Sequence, residues 1–433
     1  MPSSEKFIIT GRKKLHGTIE VRGAKNAAFP IMMATLLTRE ECVIDNIPLI
    51  DDVFVILKLL ESIGVRYHFV SKRKIVISAR NILYHDIPHD LIKKTRASLL
   101  LWGALSARIP SFTMRQPGGC SIGSRIFKPH IDALAPLGVI VEKQGSVFMI
   151  SKKKCGTLSR EIVLSEMSVT ATENVILAAV LSPGITHVYC AALEPHVQDL
   201  CHMLCAMGAD IAGIETHTLH IRGVKKLKGV HHWIIPDPIE MGTFITLAAA
   251  TKSHLVIRNS VPAFIRFDLL KFQEAHVTLR IRPGKKKGWG YTVSDIEVIP
   301  SPLKAIRKLH NLPYPGLCPD ILPLFTILAT QARGTTFTHD WMYEGRLTYI
   351  RELKRMGAQI TLSDQHRAYI TGPTPLQGKE IHCFDLRAGA TLLIAALIAK
   401  GKSVIHDIYR IDRGYERIED RLQAVGASIK RVL

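Results

Sequence analysis

Aromatic residues are scarce in this sequence, making up 6% of 433 residues, and charged residues reach only 22%. No apolar run approaches the roughly 18 residues that suggest a membrane span; the longest, such as Thr391 to Ala399, fall well short, so no membrane partner is expected. None of the eight cysteines forms a Cys-x-x-Cys pair, and there is no His-Glu-x-x-His pattern, so neither a metal site nor a cofactor is expected. Cys201 and Cys205, four apart, read as small residues on one helical face. Low-complexity Pro, Gly or Ser tracts are missing, while 47% of residues are hydrophobic, which excludes a disordered chain and supplies one or more cores. The start, Met-Pro-Ser-Ser-Glu-Lys, has no apolar signal-peptide core, and a reduced, cytoplasmic protein is expected.

Charge is unbalanced. There are 57 lysines and arginines against 37 aspartates and glutamates, a formal charge of +20 with neutral histidine. Such an excess fits nucleic acid, an anionic membrane surface or small anionic substrates. The runs Lys72 to Lys74, Lys152 to Lys154, Lys225 to Lys228 and Lys285 to Lys287 fall in turn-like or strand-edge contexts and lack interleaved aromatics, which argues against nucleic acid.

A phrase recurs along the chain: an amphipathic run ends in Gly and passes into alternating apolar residues. It centres on Gly64, Gly138, Gly208, Gly357 and Gly426, and FQEAHVTLRI around His276 fills the one gap with His in place of Gly. The apolar spacing before Gly is helical, Gly supplies a left-handed cap, and the alternation after it is a strand. Each unit also contains a short, Ala-rich helix apolar nearly all round, such as KNAAFPIMMATLLT, RASLLLWGALSA or GATLLIAALIAKG, which marks a helix buried inside a domain. Six units of about 70 residues predict an α/β protein of two pseudo-symmetric lobes with three units each. We place one lobe at 25–235 and the other at 1–24 plus 236–433, with ligands expected in the cleft between lobes.

Four segments carry reactive groups in Gly-rich or helix-start positions. In GAKNAAFP, Lys25 and Asn26 open the first buried helix, where free N–H groups attract anions; a solvated Lys is the plain alternative. In MRQPGGCSIGSRIFKPH, Cys120 sits among Gly118, Gly119 and Gly123 with Arg115, Arg125 and Lys128 near, a setting that favours thiolate unless the cysteine is an inert turn residue. YPGLCPDILPLF puts Asp320 at the mouth of an apolar helix, as a reactive carboxylate or merely a cap. Finally, EGR, DLRAGA and IDRGYERIED place Arg346, Arg387 and Arg413 at corresponding places before or beside buried helices, where guanidinium forks suit carboxylates and phosphates.

Over essentially its full length the chain resembles the bacterial UDP-N-acetylglucosamine enolpyruvyltransferases, through GAKNAA, TRASLLLWGAL with Arg96, PGGCSIG, DLRAGATL and IYRIDRGYERIEDRLQAVGA. The resemblance implies an inside-out α/β barrel and transfer of enolpyruvate from phosphoenolpyruvate to the sugar 3′-hydroxyl of a UDP-sugar, without metal or cofactor. It implies a catalytic set of Lys25, Cys120, Asp320 and Arg413: Cys120 as the acid toward the methylene carbon, Asp320 as the base beside the hydroxyl, and Lys25 with Asn26, Arg125 and Arg413 around phosphoenolpyruvate. Arg346 and Arg387, with Asp385 alongside, fall at the pyruvyl part. Arg96, Ser168, Val169 and Met342 fall at nucleotide-sugar contacts, with the segment Ile126, Phe127, Lys128 and Pro129.

Departures from the family pattern cluster. The usual Arg-Pro-Val-Asp-Leu-His is here Arg125-Ile126-Phe127-Lys128-Pro129-His130, and Lys-Val-Ser-Val-Gly is Glu166-Met167-Ser168-Val169-Thr170. Pro319 and Gly345 replace the commoner Thr and Asn. The phosphoenolpyruvate half of the expected site keeps its residues while the nucleotide half is altered. A paralogue using another nucleotide acceptor, or an inactive anion-binding homologue, are the two competing expectations.

Overall fold

A computed structural model of the chain describes residues 5–83, 87–118, 126–153 and 159–433. They form two compact units, one of residues 5–22 with 236–433, the other of the described residues between 23 and 235. Among the described residues, three buried helices of each unit pack on one another. In the first-named unit these are Pro238–Ala250, Leu322–Ala329 and Leu386–Ile398; in the second they are Lys25–Ala34, Leu101–Ser106 and Val169–Ala179. Their apolar character all round suits burial on every side. Close approach is built in at Gly103, where an added Cβ would lie 2.3 Å from the Asn174 carbonyl oxygen.

Among the described residues, five sheets have four strands and one has three. Every four-stranded sheet repeats one pattern: a parallel pair, then two antiparallel pairings, as in Ser159–Val163, Ile185–Tyr189, Thr218–Arg222 and Asp210–Ala212. Two parallel partners are exchanged where the chain changes unit. His16–Glu20 precedes the helix Lys25–Ala34 yet pairs with His254–Ser260, whereas His231–Trp233 precedes Pro238–Ala250 yet pairs with Cys42–Asp45. The strand Lys6–Thr10 lies between Lys402–His406 and Ser428–Val432, antiparallel to both.

The cap residues carry the repeat. Gly64, Gly138, Gly208, Gly357 and Gly426 all have φ between +78° and +101°, and His276 stands at φ +60°. The six positions share the left-handed conformation, so His276 takes the backbone shape that Gly adopts freely. One helix differs from expectation. RASLLLWGALSA does not run as a single α-helix: Arg96–Leu100 is a 3-10 turn, opened by Thr95 Oγ1 accepting the Ala97 N–H at 3.2 Å, and only Leu101–Ser106 is α-helical. Among the described residues no helix is long and apolar enough to cross a membrane.

Candidate active site

In the unit built from 236–433, two guanidinium groups converge on one carboxylate. Arg387 Nε donates to Asp320 Oδ2 at 2.9 Å, and Arg346 Nη2 donates to Asp320 Oδ1. Arg346 and Arg387 are 4% and 5% exposed, while the Asp320 side chain keeps 28% exposure, so two buried guanidiniums hold a carboxylate that is still reached by solvent. Burial alone would raise the Asp320 carboxyl, but the Arg387 and Arg346 charges overcome it and hold it far below the usual carboxylate range. Burial likewise works against both guanidiniums, and Asp320 reverses the direction and raises them. Asp320 is not a helix cap: the helix Leu322–Ala329 has Ile321 at its N-cap position and no side-chain cap.

Chain segments far apart supply the cluster. Asp320 sits in the turn before its helix, where the Cys318 carbonyl accepts the Ile321 and Leu322 N–H groups at 3.0 and 3.1 Å. Arg346 opens the 3-10 turn Arg346–Tyr349, set by Gly345 at φ +65°, and its guanidinium lies 5.0 Å from the Tyr343 ring. Arg387 is in the first turn of Leu386–Ile398, whose N-cap Asp385 accepts the Arg387 and Ala388 N–H groups at 2.8 and 2.9 Å. Its other face meets Tyr415, 5.8 Å to the ring centre. Asp237, N-cap of Pro238–Ala250, is pushed up by burial with the Arg387 charge as the first counterweight. Asp340 is also raised by burial, with Arg346 opposing it and Asn311 donating to its Oδ1.

The three arginines do not occupy corresponding places, contrary to expectation. Arg387 lies on a buried central helix, Arg346 precedes the peripheral helix Ile350–Arg355, and Arg413 stands half-buried at the end of the short helix Tyr409–Asp412. Of the three, Arg346 and Arg387 are hydrogen-bonded to Asp320. Met342 is half-buried four residues before Arg346 in the same loop.

In the unit between 23 and 235, Lys25 is the first residue of its helix and is buried rather than solvated. Its Nζ donates to Asp52 Oδ2 at 2.7 Å and lies 5.7 Å from the Phe29 ring. Asn26 follows, half-buried. Arg96 lies over the Phe127 ring at 5.3 Å and donates to the Ile126 carbonyl at 3.4 Å. Phe127 in turn contacts Trp102 and Phe148, at 6.1 and 5.0 Å between ring centres. Lys128 points to its own helix, pairing with Asp132 at 2.6 Å, and Pro129 is buried beside it. Ser168 caps the helix Val169–Ala179 through its carbonyl, which accepts the Thr172 N–H at 3.0 Å.

The two departing segments meet. His130 Nε2 is 3.4 Å from Thr170 Oγ1, and its Nδ1 is 3.2 Å from Asn174 Nδ2. Asn174 Oδ1 accepts the Gly103 N–H at 2.8 Å, which turns the amide NH2 toward His130 and makes Nδ1 an acceptor. Burial first, then the Arg96 charge, push His130 down to about 3. Cys120 and Arg125 lie outside the described residues. Asp52, Asp237, Asp340 and His130 escaped the sequence reading as site neighbours. Asp52 and Asp237 did carry a signal, an acidic residue at the start of an apolar helical run. Among the described residues no three His, Cys, Asp or Glu side chains are grouped to hold a metal ion.

Guanidiniums buried around one carboxylate, and an ammonium buried on another, define a protein equipped to bind small anions. Comparison with known proteins sharpens this. Residues 9–422 match the family model described as EPSP synthase (3-phosphoshikimate 1-carboxyvinyltransferase), and the chain belongs to that enolpyruvyl transferase family. It is 41% identical to the UDP-N-acetylglucosamine 1-carboxyvinyltransferase of Treponema denticola, over 98% of each chain. It is 38% identical to that of Borrelia garinii, over 98% of this chain and 99% of the relative. In fold it is similar to the enolpyruvyl transferase NikO from Streptomyces tendae, with TM-score 0.88, 22% identity, and coverage of 100% and 99% of the two chains. EPSP synthase from Acinetobacter baumannii gives TM-score 0.77 at 19% identity over 99% and 100%.

Proposed function

We propose that this protein transfers the enolpyruvyl group of phosphoenolpyruvate to the 3′-hydroxyl of UDP-N-acetylglucosamine, releasing phosphate. The observation that carries it is Asp320 between two buried arginines, in a chain similar at full length to relatives that bear this activity in their names. The product is the first committed precursor of peptidoglycan, made in the cytoplasm.

Chemically, the sugar oxygen bonds to C2 of phosphoenolpyruvate and loses its proton to Asp320, while C3 gains a proton from Cys120. Loss of a C3 proton and of phosphate from the resulting tetrahedral adduct restores the double bond. Phosphate and carboxylate together bring nearly three negative charges, which Lys25, Arg125, Arg346, Arg387 and Arg413 would neutralise. The resting ion pairs fit this use. Two arginines make Asp320 a weak base, and a substrate anion that takes over their hydrogen bonds frees its oxygens and raises its basicity. Asp52 stands in for the anion at Lys25.

Phosphate release from phosphoenolpyruvate, measured with UDP-N-acetylglucosamine and with a panel of other nucleotides and nucleotide sugars, tests this. Release with UDP-N-acetylglucosamine is expected, and Asp320→Asn should lower it about a hundredfold or more. No release with any acceptor refutes the proposal. An undiminished rate in Cys120→Ala removes the thiol from the acid role.

A further inference from the structure

Asp320 must hold its place while substrates replace its partners, and the turn that carries it is tied down from outside. Cys318 is the hub of that turn. Its carbonyl closes the turn onto Ile321 and Leu322, and the Asp320 N–H is directed at its thiol. Its own N–H leaves the turn and donates to Asp268 Oδ1 at 3.3 Å. Asp268 belongs to another repeat, in the first turn of the helix Arg266–Glu274, and is 3% exposed. The same helix is docked one turn later: Phe272, spaced i,i+4 from Asp268 and fully buried, meets Phe325 at 4.5 Å between ring centres. Phe325 lies in the helix that Asp320 precedes, so Asp268 and Phe272 grip the turn and its helix together. Ile321, next to Asp320, is wedged against Gly242, where an added Cβ would come within 3.0 Å of its side chain.

A buried carboxyl so placed needs a reason. No ion pair of Asp268 is present among the described residues, and burial pushes its carboxyl up to about 7. An uncharged apolar side chain there would avoid that cost.

We propose that Asp268 is a positioning residue for enolpyruvyl transfer, its carboxyl holding the Cys318 N–H and thereby fixing the turn that presents Asp320 to the sugar hydroxyl. The inference rests on the function proposed above and extends it to a residue in contact with neither substrate. Misplacement of a reacting group by about 1 Å costs up to a hundredfold in rate, whereas binding of phosphoenolpyruvate depends on cationic groups that Asp268 does not touch.

Steady-state kinetics of the full chain, with phosphoenolpyruvate and UDP-N-acetylglucosamine, separate this from a packing role. Asp268→Leu keeps the branching at Cγ, in a somewhat larger side chain, and removes the acceptor; Asp268→Asn keeps an acceptor oxygen and removes the charge. The leucine variant should lose about tenfold or more in kcat with KM for phosphoenolpyruvate within about threefold, and the asparagine variant should stay within about threefold of wild type. Hydrogen exchange at the Cys318 amide should quicken in the first and not in the second. If the leucine variant does not fold, Asp268→Ser, too short to reach Cys318, takes its place. An unchanged kcat without the acceptor, a change confined to KM, or equal losses in both variants overturns the inference. Inactive wild-type protein would instead refute the function itself.

Discussion

His130 offers the sharpest test of the buried polar network around the departing segments. Its ring is 2% exposed, its Nδ1 faces an amide NH2, and Arg96 repels any added proton. Protonation would set an N–H donor against the Asn174 donor, so the native ring stays neutral down to about pH 3, against an ordinary value of 6.5. The sign follows from proton counting. Between those limits the unfolded chain binds a proton at this position that the folded chain does not, so stability falls as pH falls. From pH 7.5 to pH 5 the loss is about 2 kcal/mol, by the linkage of one group protonating near 6.5 in the unfolded state only. Glu194 and Asp268, both pushed up to about 7, act in the opposite direction, gaining stability as pH drops from 7 toward 4. A wild-type profile alone would therefore blur the effect. The measurement is a urea unfolding series of wild type and His130→Gln at pH 7.5, 6.5, 5.5 and 5. Gln still offers an oxygen to Asn174 but has no proton to gain, and the acidic groups cancel between the two proteins. The wild-type advantage should shrink by about 2 kcal/mol over this range. A gap that stays constant would mean that His130 is protonated, or exposed, in the folded protein.

Three further substitutions probe other parts of the fold. Lys25→Met removes the cation from the Asp52 carboxylate, itself 3% exposed, and should cost about 3 kcal/mol in urea unfolding; a cost within experimental error would show that the pair is solvated. Gly103→Ala drives a Cβ to 2.3 Å from the Asn174 carbonyl oxygen, so the helices Leu101–Ser106 and Val169–Ala179 must part, at about 1–3 kcal/mol read from the thermal midpoint. A midpoint equal to wild type would contradict so close an approach. His276→Gly should raise the midpoint by up to about 1 kcal/mol of stability, because the side chain is exposed and its backbone is left-handed; a lowered midpoint would locate a role for the imidazole.

What could be read from the chain was local. Helices such as Leu386–Ile398 announce themselves because every side is apolar, and the caps at Gly64 or Gly426 because a left-handed residue must end the helix before a strand begins. Even His276 is legible by spacing, since the period persists where the residue changes. Asp320, Arg346 and Arg387 could each be named, but not their mutual bonds, which join residues 26 and 67 positions apart. The same holds for Lys25, whose burial depends on Asp52 one helix later. Periodicity reports which face of an element is apolar, not which element covers it. Nor does it show the exchange of His16–Glu20 and His231–Trp233 between sheets, because either strand has the same pattern in either place.

That exchange has a consequence for how the protein is made. The strand Lys6–Thr10 needs both Lys402–His406 and Ser428–Val432 as neighbours, so it is translated long before either partner exists. The unit between 23 and 235 has its partners in one continuous stretch and can close during synthesis. The other cannot: His16–Glu20 has no partner until His254–Ser260 is made, and Lys6–Thr10 stays an unpaired, hydrogen-bonding edge until Lys402–His406 follows. Biogenesis therefore has an order that the finished molecule conceals, with an early ribbon kept from wrong pairings until Lys402–His406 and Ser428–Val432 emerge to receive it.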